Sequence, residues 1–389
     1  MKNSIPAAAL ALLLAAASCL DARPGRFPPR GQGRTNPDIP PDDVFEEPVG
    51  ELRVLSCGIE SADGTPWHAD SLFDSRSCNA VLFEDSLCVL RILAGDEGRV
   101  GLAADDLYII GDELYTSYCS ADSTVIKAGG KDLLTFEGRE KISGILRCGD
   151  DLYTLGLLRG GGFCFRKNGG LLQRQPSGVP GELYADGSQP CFSYFSGGNL
   201  FICRGSSQLP VSSSDGWTAL AARYADERLY TAYYKNRTAR ICVDGQVVRE
   251  VLLRGISGTP GASFAACPEG FALHIDFVAP MGRSLVCIRD SLTFVYPGPE
   301  DVFVNSGSET DVVALQYAGS ILVRTGEGCE YAIDGLWSLM SEKCLAALDG
   351  HIALALTSRE GGAAAIWLDG EIYELGINAY LTGISLEAP

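Results

Sequence analysis

The chain has 389 residues, with 31 Lys and Arg against 49 Asp and Glu, a formal charge of −18 and only three histidines. A surface this acidic repels phosphate, which excludes non-specific nucleic-acid binding and attachment through anionic lipid head groups. His68, His274 and His351 lie far apart and form no His-x-x-x-His pair, so neither a histidine-built metal site nor a cofactor is expected.

Residues 1–18 carry one early positive charge, Lys2, then an Ala/Leu run that ends in small residues. That is the layout of a secretory signal peptide, and the run is too short to span a bilayer. Ala16-Ala17-Ser18-Cys19 resembles a lipobox, which implies cleavage before Cys19 and lipidation of its thiol. Ordinary cleavage after Ala17, with Cys19 incidental, is the alternative. Residues 19–49 follow, with prolines at 24, 28, 29, 37, 40, 41 and 48 and no apolar period. Such a segment buries too little surface to offset its ordering entropy, so it reads as a tether reaching roughly 30 Å. A lipid-anchored protein of the cell envelope, held at the outer membrane, is the expectation.

Residues 50–389 read as one domain of short β-rich runs separated by turn signals, with no amphipathic helix. A two-residue turn between apolar runs recurs at Asp85-Ser86, Gly129-Gly130, Asn168-Gly169, Arg204-Gly205, Asp244-Gly245, Asp290-Ser291, Asp334-Gly335 and Asp369-Gly370. Asn, Asp and Gly suit tight hairpins because they tolerate positive φ. Successive turns are 35 to 46 residues apart, the period of a four-stranded propeller blade. A second phrase, Gly111-Asp112-Glu113-Leu114-Tyr115-Thr116, returns as Gly149-Asp150-Asp151-Leu152-Tyr153-Thr154 and again from Asp226 to Thr231. Weaker copies start at Pro268, Gly319 and Asp349. The third repeat parses most clearly, as strands Ile142–Cys148, Leu152–Leu157, Phe163–Lys167 and Gly170–Gln173.

Phe165-Arg166-Lys167-Asn168-Gly169 and Ile366-Trp367-Leu368-Asp369-Gly370, each with an apolar strand upstream, carry a family likeness. Over residues 100–375 the chain resembles the β-propeller lipoproteins of Gram-negative bacterial envelopes, which repeat a "dLYvaG … WkNG" phrase. The resemblance implies architecture and assigns no activity. The predicted fold is an all-β propeller of eight four-stranded blades, or seven if one repeat is merged or displaced. The first repeat, around Leu52–Leu93, lacks an opening strand. The tail strand Tyr380–Leu386 is predicted to supply it and close the ring.

Little in the text carries chemistry. Without Cys19, thirteen cysteines remain, spread at one or two per repeat with no CxxC pair. They read as small core hydrophobes, with one or two disulfides as the alternative in an oxidising envelope. The acidic pairs Asp105-Asp106, Asp112-Glu113, Asp150-Asp151 and Asp226-Glu227 mostly share one turn of the repeat and read as turn chemistry rather than glycosidase carboxylates. No nucleophile elbow, P-loop or dinucleotide fingerprint is present, and no catalytic residue is assigned.

The loop between second and third strands gathers Trp67, His68 and Asp70, Tyr118, Arg159, Tyr233, Tyr234, Lys235 and Arg237, His274, Asp276 and Arg283, Arg324 and Arg359. Trp67, His68, Tyr118, Arg159, Tyr234, Arg237, Arg283 and Arg359 are the candidate ligand-binding residues, since arginine forks and aromatic faces suit carboxylated or sugar-like ligands. The alternative is that they are surface residues balancing the acidic turns. The expected protein is a monomeric, non-enzymatic binding module for a glycan, peptide or partner protein. A propeller enzyme acting on polysaccharide, by hydrolysis or elimination, is the second reading.

Labelled fatty acid should enter the wild-type protein and not Cys19→Ala. Equal labelling of both, or labelling of neither, removes the lipoprotein assignment.

Overall fold

The structure is a computed structural model that describes residues 52–61, 78–92, 107–119, 122–212, 215–254, 256–265, 271–279, 282–289, 292–305, 311–325 and 330–388. The signal segment, Cys19, the tether, Trp67, His68 and Asp70 lie outside the described residues. Among the described residues no α-helix occurs, and no helix is long and apolar enough to cross a membrane.

The strands form seven antiparallel sheets. Six of them are single blades of consecutive strands. The third blade comprises Glu140–Cys148, Asp151–Leu158, Phe163–Lys167 and Gly170–Gln175, almost as the repeat phrase predicts. The remaining sheet has eight strands, and its middle member is the long strand Glu371–Glu387. Residues 371–378 of that strand pair with Ala363–Leu368, as the outer strand of the eighth blade. Residues 379–387 pair with Arg53–Ser61, as the inner strand of the first blade. The seven sheets therefore hold eight four-stranded blades, and the C-terminal strand joins the last blade to the first, as the sequence predicts.

Burial follows strand position. Second strands are apolar along nearly their whole length, as in Asp151–Leu158, while outer strands such as Gly170–Gln175 are largely exposed. One blade cannot cover both of its faces, and the core lies between blades. Leu114 of the second blade packs with Leu82 of the first, Phe163 of the third with Phe192 of the fourth, and Phe264 of the sixth with Ile241 of the fifth. The largest cluster runs from Phe303 and Ile321 in the seventh blade through Leu354 and Trp367 in the eighth to Val81 and Phe83 in the first. Packing is thus continuous around all eight blades.

The recurring turn has a structural cause beyond positive φ. Asp85, Asn168, Asp244 and Asp369 sit between third and fourth strands with φ of 49 to 54°. Each backbone N–H donates to a carbonyl at the start of the second strand, and each Oδ1 accepts that same residue's N–H. For Asn168 and Leu152 both bonds are 2.8 Å. Asp85 with Val54, Asp244 with Leu229 and Asp369 with Ile352 repeat the arrangement. Gly129 and Gly205 keep only the backbone bond.

The seventh repeat departs from the predicted parse by one strand. Its strands are Asp301–Asn305, Val312–Tyr317, Ser320–Thr325 and Glu330–Asp334. Gly319-Ser320 therefore joins the second and third strands, and Asp334-Gly335 follows the fourth. The second strand Val312–Tyr317 lacks the Leu-Tyr phrase that marks second strands elsewhere, so in the parse it stands as the opening strand.

Truncation after Leu375 removes an inner strand that buries Ala379, Leu381 and Ile384. Each large buried side chain contributes about 1.5–3 kcal/mol, against a typical total stability of about 5–15 kcal/mol. The truncated protein should aggregate or lose its cooperative melt. Melting at the wild-type temperature would show the tail to be an appendage.

Candidate ligand channel and rim

The inner strands of all eight blades face a central channel. It has two chambers, of about 570 Å³ and about 310 Å³. The larger is walled by inner segments of the first, second, third, fourth, seventh and eighth blades, including Ile384, Tyr108, Ile145, Leu183, Val304 and Leu345. The smaller is completed by Leu220 and Ala222 of the fifth blade and Phe264 of the sixth. Glu182 and Glu342 line both chambers and so mark the waist between them.

These two carboxylates come from the two blades whose inner strand is interrupted. In the fourth blade pairing runs over Val179–Pro180 and resumes at Tyr184–Asp186. In the eighth it runs over Trp337–Ser338 and resumes at Leu345–Leu348, with a 3-10 turn at Glu342–Cys344 between. Glu182 and Glu342 sit in the interruptions, where the side chain leaves the alternation of the strand and turns to the axis. Fourth and eighth blades are opposite one another in an eight-bladed ring, so the carboxylates face across the channel.

Their surroundings differ. Glu182 has Arg223 Nη1 at 3.5 Å. That buried guanidinium lies 3.8 Å from the Tyr184 ring centroid, and Tyr184 Oη accepts a 2.8 Å bond from the Tyr224 amide. Glu342 remains open to the chamber, yet partial desolvation raises its pKa, the Glu182 charge raises it further, and His274 opposes both. The neighbouring Lys343 also lines the larger chamber: its Nζ donates to the Leu107 carbonyl at 3.2 Å and lies 3.5 Å from the Tyr108 ring centroid.

The predicted loop residues divide three ways. Arg159 and Arg237 are exposed, in the tight second-to-third-strand turns of the third and fifth blades, and Arg237 adopts φ 65°. Arg283 and Arg359 lie at the same face but carry carboxylate partners. Arg283 grips Asp276 with Nε–Oδ1 at 2.9 Å and Nη2–Oδ2 at 2.8 Å, and its Nη1 reaches Asp301 at 3.1 Å. Arg359 Nη2 reaches Glu300 Oε2 at 3.0 Å. The Glu300-Asp301 segment thus draws these two arginines together and offsets their charge. Tyr118 and Tyr234 are half-buried: Lys127 Nζ lies 5.7 Å from the Tyr118 centroid, and Tyr234 packs on the core between fifth and sixth blades.

Two loop assignments are corrected. Arg324 lies in the third strand of the shifted seventh blade, toward the opposite face, with its guanidinium 3.7 Å from the Phe294 centroid and 2.7 Å from Glu330. His274 lies within Ala272–Ala279 and is buried, its Nε2 3.0 Å from Asp311 Oδ1 of the seventh blade. Burial alone lowers the His274 pKa, but the Asp311 carboxylate and Cys287 outweigh it and raise the value to about 10. The pair is a buried ion pair between blades rather than a loop feature. Among the described residues the cysteines make no disulfide, and most are buried, as small core hydrophobes would be. No group of three or more metal-ligating side chains occurs among them.

No protein-family model and no curated protein matches the chain. Solved structures do share the fold. A dihydro-heme d1 dehydrogenase, NirN, in complex with DHE aligns over 96% of this chain and 85% of its own at 12% identity and a TM-score of 0.50. Apo AztD from Citrobacter koseri aligns over 87% and 98% at 10% identity and 0.48. The WD40 domain of SCAP from fission yeast aligns over 88% and 97% at 9% identity and 0.45. At such identities the likeness concerns the fold alone, and the chain is an all-β propeller.

His274→Gln should lower stability by about 3 kcal/mol at neutral pH, because Asp311 is left buried and uncompensated. The His274 contribution is full below its unfolded pKa of about 6.5 and is lost as pH rises through about 10. Asp311, whose pKa is lowered overall, contributes above its unfolded value of about 4, and that share is lost on acidification. The gap in melting temperature between variant and wild type should therefore be widest between about pH 4 and 6.5 and narrow toward pH 10. A gap independent of pH contradicts the ion pair.

Proposed function

We propose that the protein is a lipid-anchored propeller of the cell envelope that binds its ligand in the central channel, without turning it over. The carrying observation is the channel itself. It is concave and lined by apolar and polar groups in similar measure, the character of a site for a small ligand with polar parts. The two exposed arginines, Arg159 and Arg237, lie in second-to-third-strand turns on one face and suit an acidic or sugar-like part of a ligand. The chain enters the domain at Arg53, the start of a second strand, on the face opposite those turns. The ligand would be a glycan, peptide or partner protein.

A second reading, a propeller enzyme acting on polysaccharide, draws on the same waist. Glu342, whose pKa partial desolvation raises, and Glu182, with the Arg223 guanidinium 3.5 Å away, are the two carboxyl groups there.

The test is a screen of residues 50–389 against arrayed envelope glycans and peptides, scoring binding and product release together. Ile384→Trp, which would crowd the larger chamber, should abolish captured binding. Retained binding in that variant contradicts the channel as the site, and release of product favours the enzyme.

A further inference from the structure

We infer that Cys287 is a peroxide-reactive thiol, set between His274 and a small polar pocket where the sixth and seventh blades meet. The inference does not depend on the channel.

Register brings the groups together. Cys287 and His274 lie opposite each other on the third and second strands of the sixth blade, so both side chains leave the same face of the sheet. They interact directly there. His274 Nε2 lies 3.0 Å from Asp311 Oδ1 of the seventh blade. Among the described cysteines only Cys287 is opposed by a histidine. A thiol, an imidazole and a carboxylate thus stand in contact in that order. Nucleophile, acid/base group and orienting group follow the same order in activated sites. Thiolates form beside imidazolium groups, and the thiolate is the form that reacts. Packing alone does not call for the arrangement, because a buried ion pair is often no more stabilising than apolar side chains of the same volume.

A pocket meets the sulfur. It has a volume of about 20 Å³, and Cys287, Arg289, Tyr296, Asp311 and Arg324 contribute to its lining. A cavity of that size holds one water-sized molecule. Tyr296 is buried, and its hydroxyl lacks a hydrogen-bond partner among the described residues. A buried polar atom in that state calls for a small polar guest. Arg289 and Arg324 bring positive charge to the same pocket, of which Glu330 offsets part. Positive charge there favours an anionic sulfur and a departing hydroxide. Volume decides the substrate class: an acyl or glycosyl group does not fit, whereas hydrogen peroxide, little larger than water, does. The Cys287 thiolate attacks one peroxide oxygen, and the S–O bond forms as the O–O bond breaks. The departing hydroxide takes a proton from His274 and leaves as water. The thiol proton goes to solvent beforehand and His274 regains one afterwards, so thiol and hydrogen peroxide give sulfenic acid and water. Sulfur loses two electrons and the peroxide gains them.

The test is timed oxidation of the full, reduced chain by hydrogen peroxide, stopped with catalase. Unfolding in dimedone then traps sulfenic acid, and peptide mass spectrometry gives a rate for each cysteine. Cys88 and Cys119 are exposed and Cys287 is buried, so access alone would oxidise the first two ahead of the third. Cys287 should instead react about tenfold faster than either. His274→Gln should slow Cys287 about tenfold and leave the rates of Cys88 and Cys119 unchanged. Oxidation of Cys88 or Cys119 ahead of Cys287, one common rate for all three, or an unaltered Cys287 rate in folded His274→Gln overturns the inference and leaves the pocket to a buried water. The comparison among cysteines is made within the wild-type chain, so it decides the matter even if His274→Gln fails to fold.

Discussion

One reciprocal contact recurs in the first, third, fifth and eighth blades: an Asp or Asn in the left-handed region between third and fourth strands, bonded twice to one residue at the start of the second strand. Asn168 with Leu152 shows it at 2.8 Å in both directions. The contact does two things at once. It closes the outer hairpin, and it ties that hairpin back to the turn that leaves the inner strand. An Asx side chain accepts a backbone N–H that would otherwise lack a partner at the strand's edge, and it tolerates the positive φ that the turn demands. Where glycine replaces it, at Gly129 and Gly205, the backbone bond alone persists. Packing between blades supplies the remaining constraint there.

That division of labour leaves the inner strands freer than the others. Second and third strands are held on both sides by pairing and on both faces by neighbouring blades. Inner strands have the channel on one edge. The fourth and eighth can therefore lose pairing for a few residues without loss of the blade, and their interruptions deliver Glu182 and Glu342 to the axis. The first blade shows the opposite case. Its inner strand comes from the far end of the chain, and a Cβ on Gly58 would clash with the Tyr380 carbonyl where the two ends pair. Glycine is required there by close approach rather than by backbone conformation.

Much of this architecture was legible in the text because it rests on local chemistry. Asp-Gly and Asn-Gly turns, the Gly-Asp-Asp-Leu-Tyr-Thr phrase and the missing opening strand near Leu52 gave the period, the count and the role of the tail. The seventh repeat slipped because Val312–Tyr317 lacks the Leu-Tyr phrase of a second strand and so reads as an inner one. The candidate site was hardly legible. The predicted rim arginines lie where the repeat places them, but Arg283 and Arg359 are paired through Glu300-Asp301, a segment of another blade that no local pattern links to them. Glu182 and Glu342 are 160 positions apart and lie in irregular segments. His274 was read as a loop residue for want of a visible partner, and Asp311 becomes that partner only when blades six and seven stack.

The central claim is that Glu342 is a channel carboxyl without a counter-charge of its own. Its side-chain carboxyl carbon can be followed by carbon NMR through a pH titration, with Glu342→Gln assigning the signal. The structure predicts a midpoint raised above the ordinary glutamate range by desolvation and by the Glu182 charge. A midpoint within the ordinary glutamate range would contradict it.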